Sequence, residues 1–136
     1  MDFHTMVSMA VWTASGAVLL CVLMVVDSLF TRYNDLEELK AGNMAVTTRF
    51  VLKLLAQTCI LAASIAASSS LGDALQFSII SFWLLFILEK VVHWLLGRMG
   101  KIDLDHGTQT GKIGYGLLSG TLHVIGAMII AAFILS

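Results

Sequence analysis

Residues 50–96, FVLKLLAQTCILAASIAASSSLGDALQFSIISFWLLFILEKVVHWLL, contain two long apolar runs on either side of a short polar stretch. The runs Phe50–Leu71 and Leu75–Leu96 each have the ~20 residues that an α-helix needs to cross a hydrocarbon core. Between them, Gly72 is predicted to end one helix and Asp73 to cap the next. The stretch therefore predicts two antiparallel transmembrane helices joined by a tight turn.

The same pattern continues on both sides of this hairpin, with further apolar runs at Met6–Val26 and Ile113–Leu135. Hydrophobic residues make up 58% of the chain and charged residues only 12%, about half the charged share that is typical of soluble domains. Four such runs leave too little polar surface for a soluble protein. We predict an all-α membrane protein with four transmembrane helices, a single membrane domain over residues 1–136 in contact with the lipid bilayer.

All Lys and Arg residues lie in or near the two polar loops, residues 27–43 and 97–112. They are Arg32, Lys40, Arg49, Lys53, Lys90, Arg98, Lys101 and Lys112. Both termini and the connection 68–73 contain none, and short loops rich in Lys and Arg remain in the cytoplasm. This asymmetry predicts cytoplasmic loops in a bacterial inner membrane, with both termini periplasmic or extracellular. The first span lacks a preceding basic segment, so we expect a retained span and not a signal peptide.

A short motif occurs once in each half of the chain. Leu39-Lys40-Ala41-Gly42-Asn43 and Leu104-Asp105-His106-Gly107-Thr108 share the pattern Leu-x-x-Gly-[Asn/Thr], and each follows an acidic residue, Glu38 or Asp103. Matching positions differ by 65, which predicts two parallel two-helix repeats over about residues 1–71 and 72–136. Each glycine is predicted to end a short helical segment and each Asn or Thr to cap the next helix. The motif is either this helix-capping signal or a ligand-contacting loop.

The sequence Asp35-Leu36-Glu37-Glu38-Leu39-Lys40-Ala41-Gly42-Asn43-Met44-Ala45 resembles the first loop of the domain of unknown function 350 family of small bacterial inner-membrane proteins. The second loop departs from the family pattern at Thr108, where Asn is usual. The resemblance implies a four-span fold of two parallel repeats and brings no assigned reaction. Some relatives are encoded beside phage-shock-protein-A-like and ATP-grasp proteins, which implies a role in the cell envelope.

Several ionisable or polar residues fall inside the predicted spans, where such groups are energetically costly and often functional. Arg49, Lys53 and Gln57 are spaced four apart on one face of the second span, and Glu89 and His93 on one face of the third. An interhelical Lys53–Glu89 pair is therefore geometrically possible. The alternative is that Lys53 extends its aliphatic stem to the interface, as we expect for Lys90.

His123 is predicted to lie near the bilayer centre, ten residues after Ile113. A neutral imidazole there needs only one hydrogen bond from a neighbouring helix. The alternative is a proton-relay or pore-lining group, since histidine titrates near neutral pH. The sequence shows no second mid-membrane histidine or acid that would complete a relay, and a single histidine makes no metal site.

Small residues at four-residue spacing predict where helices pack closely. The fourth span has Gly116 and Gly120, and the second has Ala62 and Ala66. If one of these pairs serves the internal contact, the other is free for a neighbouring copy. We therefore predict a homo-oligomer.

The sequence contains no recognisable catalytic pattern: no Gly-rich phosphate loop, nucleophile elbow, CxxC or HExxH is present. We predict no catalytic residue, cofactor or metal site, and the formal net charge of −1 gives no reason to expect nucleic acid. The favoured function is a non-enzymatic scaffold or accessory subunit of an envelope-associated complex that docks a cytoplasmic protein through its loops. The alternative is a small homo-oligomeric channel or solute conduit, lined by Lys53, Gln57, Glu89 and His123.

Overall fold

The computed structural model describes all residues, 1–136, as six helices without strands. In chain order they are α1 (Phe3–Leu29), α2 (Asp35–Lys40), α3 (Met44–Ala67), α4 (Leu71–Met99), α5 (Leu104–Gln109) and α6 (Ile113–Leu135). Helices α1, α3, α4 and α6 are long and apolar enough to cross a membrane, and large apolar side chains are exposed along all four of them. The predicted fold class is confirmed: this is a four-span, all-α membrane protein.

Three of the four spans begin before their predicted starts, because polar side chains cap those starts, and α3 ends at Ala67, before its predicted end at Leu71. Helix α3 begins at Met44, before the predicted start at Phe50, since the Asn43 side chain accepts hydrogen bonds from the N–H groups of Ala45 and Val46 at 3.2 and 3.3 Å. A cap of this kind satisfies backbone donors that have no partner in the first turn. Only α6 has the predicted limits.

The connection between α3 and α4 differs from the sequence prediction. Ser70 caps α4, and its hydroxyl accepts a hydrogen bond from the N–H of Asp73 at 3.2 Å. Gly72 and Asp73 both lie within the first turn of α4. The predicted helix stop at Gly72 and cap at Asp73 are therefore wrong, because a serine upstream already supplies the acceptor that the helix start needs.

The short helices α2 and α5 end with the same backbone hydrogen bonds, but at an offset of 69 residues. Ala41, Gly42 and Asn43 donate to the carbonyls of residues 37, 39 and 38, and the residues 69 positions later repeat this pattern. Gly42 and Gly111 have φ values of +81° and +88°, which glycine adopts without the strain of a side chain. Residues 34–43 therefore correspond in local structure to residues 103–112, and the offset of 65 taken from the sequence motif is wrong.

This register moves two residues of the second motif away from their predicted roles. Gly107 lies inside α5, where a Cβ atom would meet the Tyr115 ring at 2.6 Å, so close packing explains this glycine. The Thr108 hydroxyl donates to the carbonyl of Leu104 at 2.6 Å within the same helix. Neither residue ends or caps a helix. Lys112 precedes α6 and provides no side-chain cap.

Helices α3 and α6 form the most extensive contact in the bundle. A Cβ atom on Gly116 would clash with the carbonyl oxygen of Ala45, and one on Gly120 would meet the Leu52 side chain at 2.6 Å. The two backbones thus approach closely at the predicted Gly116/Gly120 pair. Ala62 and Ala66 remain exposed on α3.

Adding a methyl group at this contact should destabilise the protein. We expect Gly116→Ala to lower the free energy of unfolding by about 1–3 kcal/mol, because a backbone carbonyl cannot move aside as a flexible side chain can. Gly114 is the matched control: it lies in the same helix with open space around it, and alanine there should be neutral or slightly stabilising. Thermal unfolding in detergent measures both, and equal behaviour of the two variants would contradict the close α3–α6 contact.

Candidate functional site

A cluster of buried ionisable side chains lies where all six helices meet. Its fully buried members are Asp27, Asp35, Arg49, Lys53, Glu89, Asp105 and His123. Lys53, Glu89 and His123 are each about ten residues from the ends of their helices that face the two longer loops. At 1.5 Å per residue this is roughly 15 Å, about half of a hydrocarbon core. We call this side of the bundle the loop end and the group of side chains the charged cluster.

Glu89 on α4 is at the centre of the charged cluster. Its Oε1 accepts a hydrogen bond from Arg49 Nη2 at 2.9 Å and lies 3.2 Å from Lys53 Nζ. The imidazoles of His93 and His123 flank the same carboxylate, with nitrogen–oxygen distances of 3.8 and 3.5 Å. The structure thus places Lys53 beside Glu89 instead of extending it to the interface, and of the candidates Lys53, Gln57, Glu89, His93 and His123 it brings together four. The fifth, Gln57, is buried one turn further along α3.

Arg49 uses its whole guanidinium group to join separate elements. It donates from Nε to Ser119 Oγ at 2.9 Å, from Nη1 to Tyr33 Oη at 2.6 Å and from Nη2 to Glu89. Asp105 of α5 lies 3.6 Å from Nη2. Burial raises the pKa of Tyr33 to about 12, against the opposing effect of Arg49, so the phenol accepts this bond as a neutral group.

Lys53 connects the cluster to α1. Its ammonium donates to Asp27 Oδ2 at 2.6 Å, and both side chains are almost fully buried. The sequence places Asp27 at the start of a polar loop, whereas the structure places it in the last turn of α1. Because polar residues follow Asp27 in the sequence, the sequence does not show that Asp27 belongs to the helix.

The helix α2 contributes Asp35, whose carboxyl group is buried against the cluster. Burial raises the pKa of Asp35, and the positive charge of Arg49 partly offsets this effect. In the sequence this acid lies in the polar loop 27–43. Its neighbours Leu36 and Glu37 are exposed, so Asp35 is the one charged side chain of α2 that is buried.

The loop motif links the two loops to each other. The Asn43 amide donates to Glu38 Oε2 at 3.0 Å and to the carbonyl of Gln109 at 2.8 Å. Leu104 is buried and Leu39 half-buried. Arg32 and Asp103 add an exposed ion pair at 3.1 Å, and the hydrogen bond from the His106 N–H, with the charge of Arg32, lowers the pKa of Asp103. These contacts hold α2 and α5 together.

Two cavities reach the charged cluster. A cleft of about 600 Å³ opens at the loop end between α1, α4 and α5, and its lining includes Arg32, Lys90, Trp94, Lys101, His93 and Asp105. A smaller cavity of about 210 Å³ lies between α4 and α6, lined by apolar side chains together with Glu89, His93 and His123. His93 lines both cavities and therefore lies between the loop-end cleft and the space beside His123.

Asp27, Glu89 and His123 each place one oxygen or nitrogen atom within 4.8 Å of the others. The sequence argument that a lone histidine makes no metal site therefore overlooked two carboxylates that the fold brings to it. Lys53 Nζ, however, lies 2.6 Å from Asp27 and 3.2 Å from Glu89. Because a metal ion would have to compete with this ammonium group, we describe the three residues as ion-pair partners and not as metal ligands.

A family model described as Domain of Unknown Function (DUF350) matches residues 1–134. The chain belongs to the DUF350 family. No curated protein and no solved structure matches the chain.

In this DUF350 protein, sequence reasoning missed Asp27, Tyr33, Asp35 and Asp105 as cluster members. It also overlooked that Glu89 and His123 are neighbours, with Oε2 and Nδ1 3.5 Å apart. An acidic residue in a polar loop is normally predicted to be exposed to solvent. The sequence signal for burial is indirect: the cations that lie inside the α3 span need acidic partners. Two unpaired cations at this depth would be costly, which implies acidic partners somewhere in the chain.

Proposed function

We propose that the chain is a non-enzymatic, multi-pass component of the bacterial inner membrane that docks a soluble protein at its loop end. The cleft of about 600 Å³ at that end supports the proposal. Its walls are built on α4 and α5, which Arg49 connects to the centre of the bundle through Glu89 and Asp105. A surface held in this way is already ordered, so binding a partner does not lose free energy to the ordering of loops and side chains.

The chemistry of the cleft favours an acidic segment of a cytoplasmic partner. Lys90, Lys101 and Arg32 line it, while Trp94 offers an aromatic face. Asp103 is already paired with Arg32, and Asp105 is buried. Basic and aromatic side chains around one opening are suited to a peptide with carboxylates and an apolar residue. The excess of Lys and Arg at this end supports a cytoplasmic orientation.

Charge reversal in the cleft should weaken docking. With a photo-crosslinking residue in place of Met99, which is exposed beside the cleft, we expect a discrete adduct with a cytoplasmic protein in living cells. The double variant Lys90→Glu/Lys101→Glu should lower the adduct yield about tenfold, since each rim charge contributes up to ~1 kcal/mol. Lys40→Glu, on the other loop and outside the cleft, is the matched control. Equal losses in the double variant and the control, or an adduct unaffected by either, would contradict the proposal.

The second candidate is an oligomeric conduit, and the buried polar lining between α4 and α6 favours it. In the half of the bundle nearer the termini, beyond Gln57, the buried polar residues are only Ser64, Ser78 and Ser81. One chain therefore does not supply a charged path through that half. Ala62 and Ala66 are exposed and leave a small-residue face on α3 for the proposed homo-oligomer. Bilayer conductance that disappears in Glu89→Gln would favour this candidate over docking.

A further inference from the structure

Three buried polar atoms without a hydrogen-bond partner lie in a row through the charged cluster. They are Asp105 Oδ1, His93 Nε2 and His123 Nδ1. Asp105 Oδ1 lies 3.9 Å from His93 Nδ1, His93 Nε2 lies 3.8 Å from Glu89 Oε1, and Glu89 Oε2 lies 3.5 Å from His123 Nδ1. Buried polar groups normally find partners, so three consecutive exceptions need an explanation.

We propose that Asp105, His93, Glu89 and His123 form a proton relay from the loop-end cleft to the middle of the bundle. The relay goes beyond the docking role and does not depend on it. It begins at Asp105 and His93, which line the cleft, and ends at His123, which lines the cavity between α4 and α6.

Each step transfers one proton between neighbouring atoms. A proton from water in the cleft binds His93 Nδ1, on the side that faces Asp105. The Nε2 proton of the resulting imidazolium passes to Glu89 Oε1, which leaves a neutral imidazole. The carboxyl group then rotates to turn this O–H towards His123, and the same proton passes to His123 Nδ1. The net change is one proton lost from the cleft and one gained by His123, with Glu89 returned to its carboxylate form.

The relay contacts are longer than the fixed ion pairs beside them, and the two sets share one atom, Glu89 Oε1. Arg49 and Lys53 donate to carboxylates and to Tyr33 at 2.6–2.9 Å. The relay atoms are 3.5–3.9 Å apart, just beyond direct hydrogen-bond distance, so a small side-chain movement or a bridging water is needed for each transfer. The two cavities beside His93 and His123 provide room for both.

Charged groups of both signs face the relay. The groups facing the relay are Asp27 of α1, Tyr33, Asp35 of α2, Arg49 and Lys53 of α3, and Asp105 of α5, while Lys90 of α4 is exposed at the cleft. With neutral imidazoles, the buried carboxylates of Asp27, Asp35, Glu89 and Asp105 outnumber the two buried cations. A proton on His123 reduces this excess of negative charge.

Solvent exchange at His123 tests the relay. The full chain in lipid nanodiscs, with ¹⁵N-labelled histidine and the substitutions His4→Gln and His106→Gln, leaves only the two relay imidazoles observable by NMR. After transfer to D₂O we expect the His123 ring proton to exchange at least about tenfold more slowly in His93→Phe and in His93→Gln, since either substitution removes the carrier that links the cleft to Glu89. Trp94 lines the same cleft and has no titratable group. In the Trp94→Phe variant the His123 ring proton should therefore exchange at the rate of the unsubstituted protein.

The two substitutions at His93 separate a relay from simple access of water. Slow exchange in both supports the relay. Slow exchange in His93→Phe alone would show that the aromatic ring only blocks water, and unchanged exchange in both would show that protons reach His123 by another route; either result overturns the proposal. His93 accepts and donates no hydrogen bond within the cluster, so both variants should fold, as helical content by circular dichroism verifies.

Discussion

Arg49→Met is expected to remove most of the folded protein from membranes. The substitution retains an apolar side chain of similar length but leaves Glu89 and Asp105 with one positive partner fewer and the Tyr33 and Ser119 hydroxyls unpaired. Breaking a buried ion pair by removing one partner costs about 3–5 kcal/mol, comparable to the total stability of a small protein. Quantitative immunoblots of membrane fractions and thermal unfolding of any purified protein measure the loss.

Arg32→Met is the matched control for this experiment. Arg32 also forms an ion pair at the loop end, with Asp103, but both side chains are more than half exposed. Exposed pairs of this kind contribute at most about 1 kcal/mol. Normal accumulation of Arg49→Met, or equal losses in both variants, would show that the charged cluster does not determine stability.

Lys53→Met and Asp27→Asn should each lower the amount of folded protein, whereas the double variant should recover most of it. Lys53 and Asp27 form the shortest ion pair in the cluster, at 2.6 Å, and either partner alone is a buried charge without its counterion. When both are removed, Glu89 still receives its hydrogen bond from Arg49. A double-mutant cycle on unfolding temperature or membrane abundance measures the coupling.

A second double variant, Lys53→Met/Glu89→Gln, makes this cycle specific. From sequence alone these two residues looked like an isolated pair, and their joint removal would then restore stability. In the structure Asp27 would be left without its cation, so we expect poor recovery from this combination. Equal recovery in both double variants, or simple additivity in both, would contradict the arrangement of Lys53 between two acids.

The fold class was predictable because hydrophobic run length determines which segments can cross a bilayer. Counting residues along those runs also placed His123 near the middle of its span, whereas Lys53 and Glu89 lie deeper than the runs predicted because α3 begins earlier and α4 ends later. Helix starts were less predictable: α3 begins at Met44 because Asn43 caps it, and a cap works through a few local hydrogen bonds that hydropathy does not register.

The membership of the charged cluster was predictable only in part. Spacing of four along α3 and α4 correctly put Arg49 beside Lys53, and Glu89 beside His93, on shared helix faces. The pairing of Lys53 with Asp27 depends on where α1 ends relative to α3. The pairing of Arg49 with Asp105 depends on how α5 packs against the loop end of the bundle. Such long-range geometry has no local signature. The repeated motif was also misaligned, because Gly107 is conspicuous in the sequence, whereas Gly111 has the backbone conformation that matches Gly42.

From the order of synthesis we expect the Lys53–Asp27 contact to form before the other ion pairs of α3. Helix α3 contains two cations at membrane depth, Arg49 and Lys53, and their acidic partner Glu89 belongs to a helix made later. Asp27 is already present when α3 leaves the ribosome, since chains emerge from the N-terminus. It can neutralise Lys53 during the interval before α4 arrives, which leaves Arg49 as the cation of α3 that is paired only when Glu89 follows.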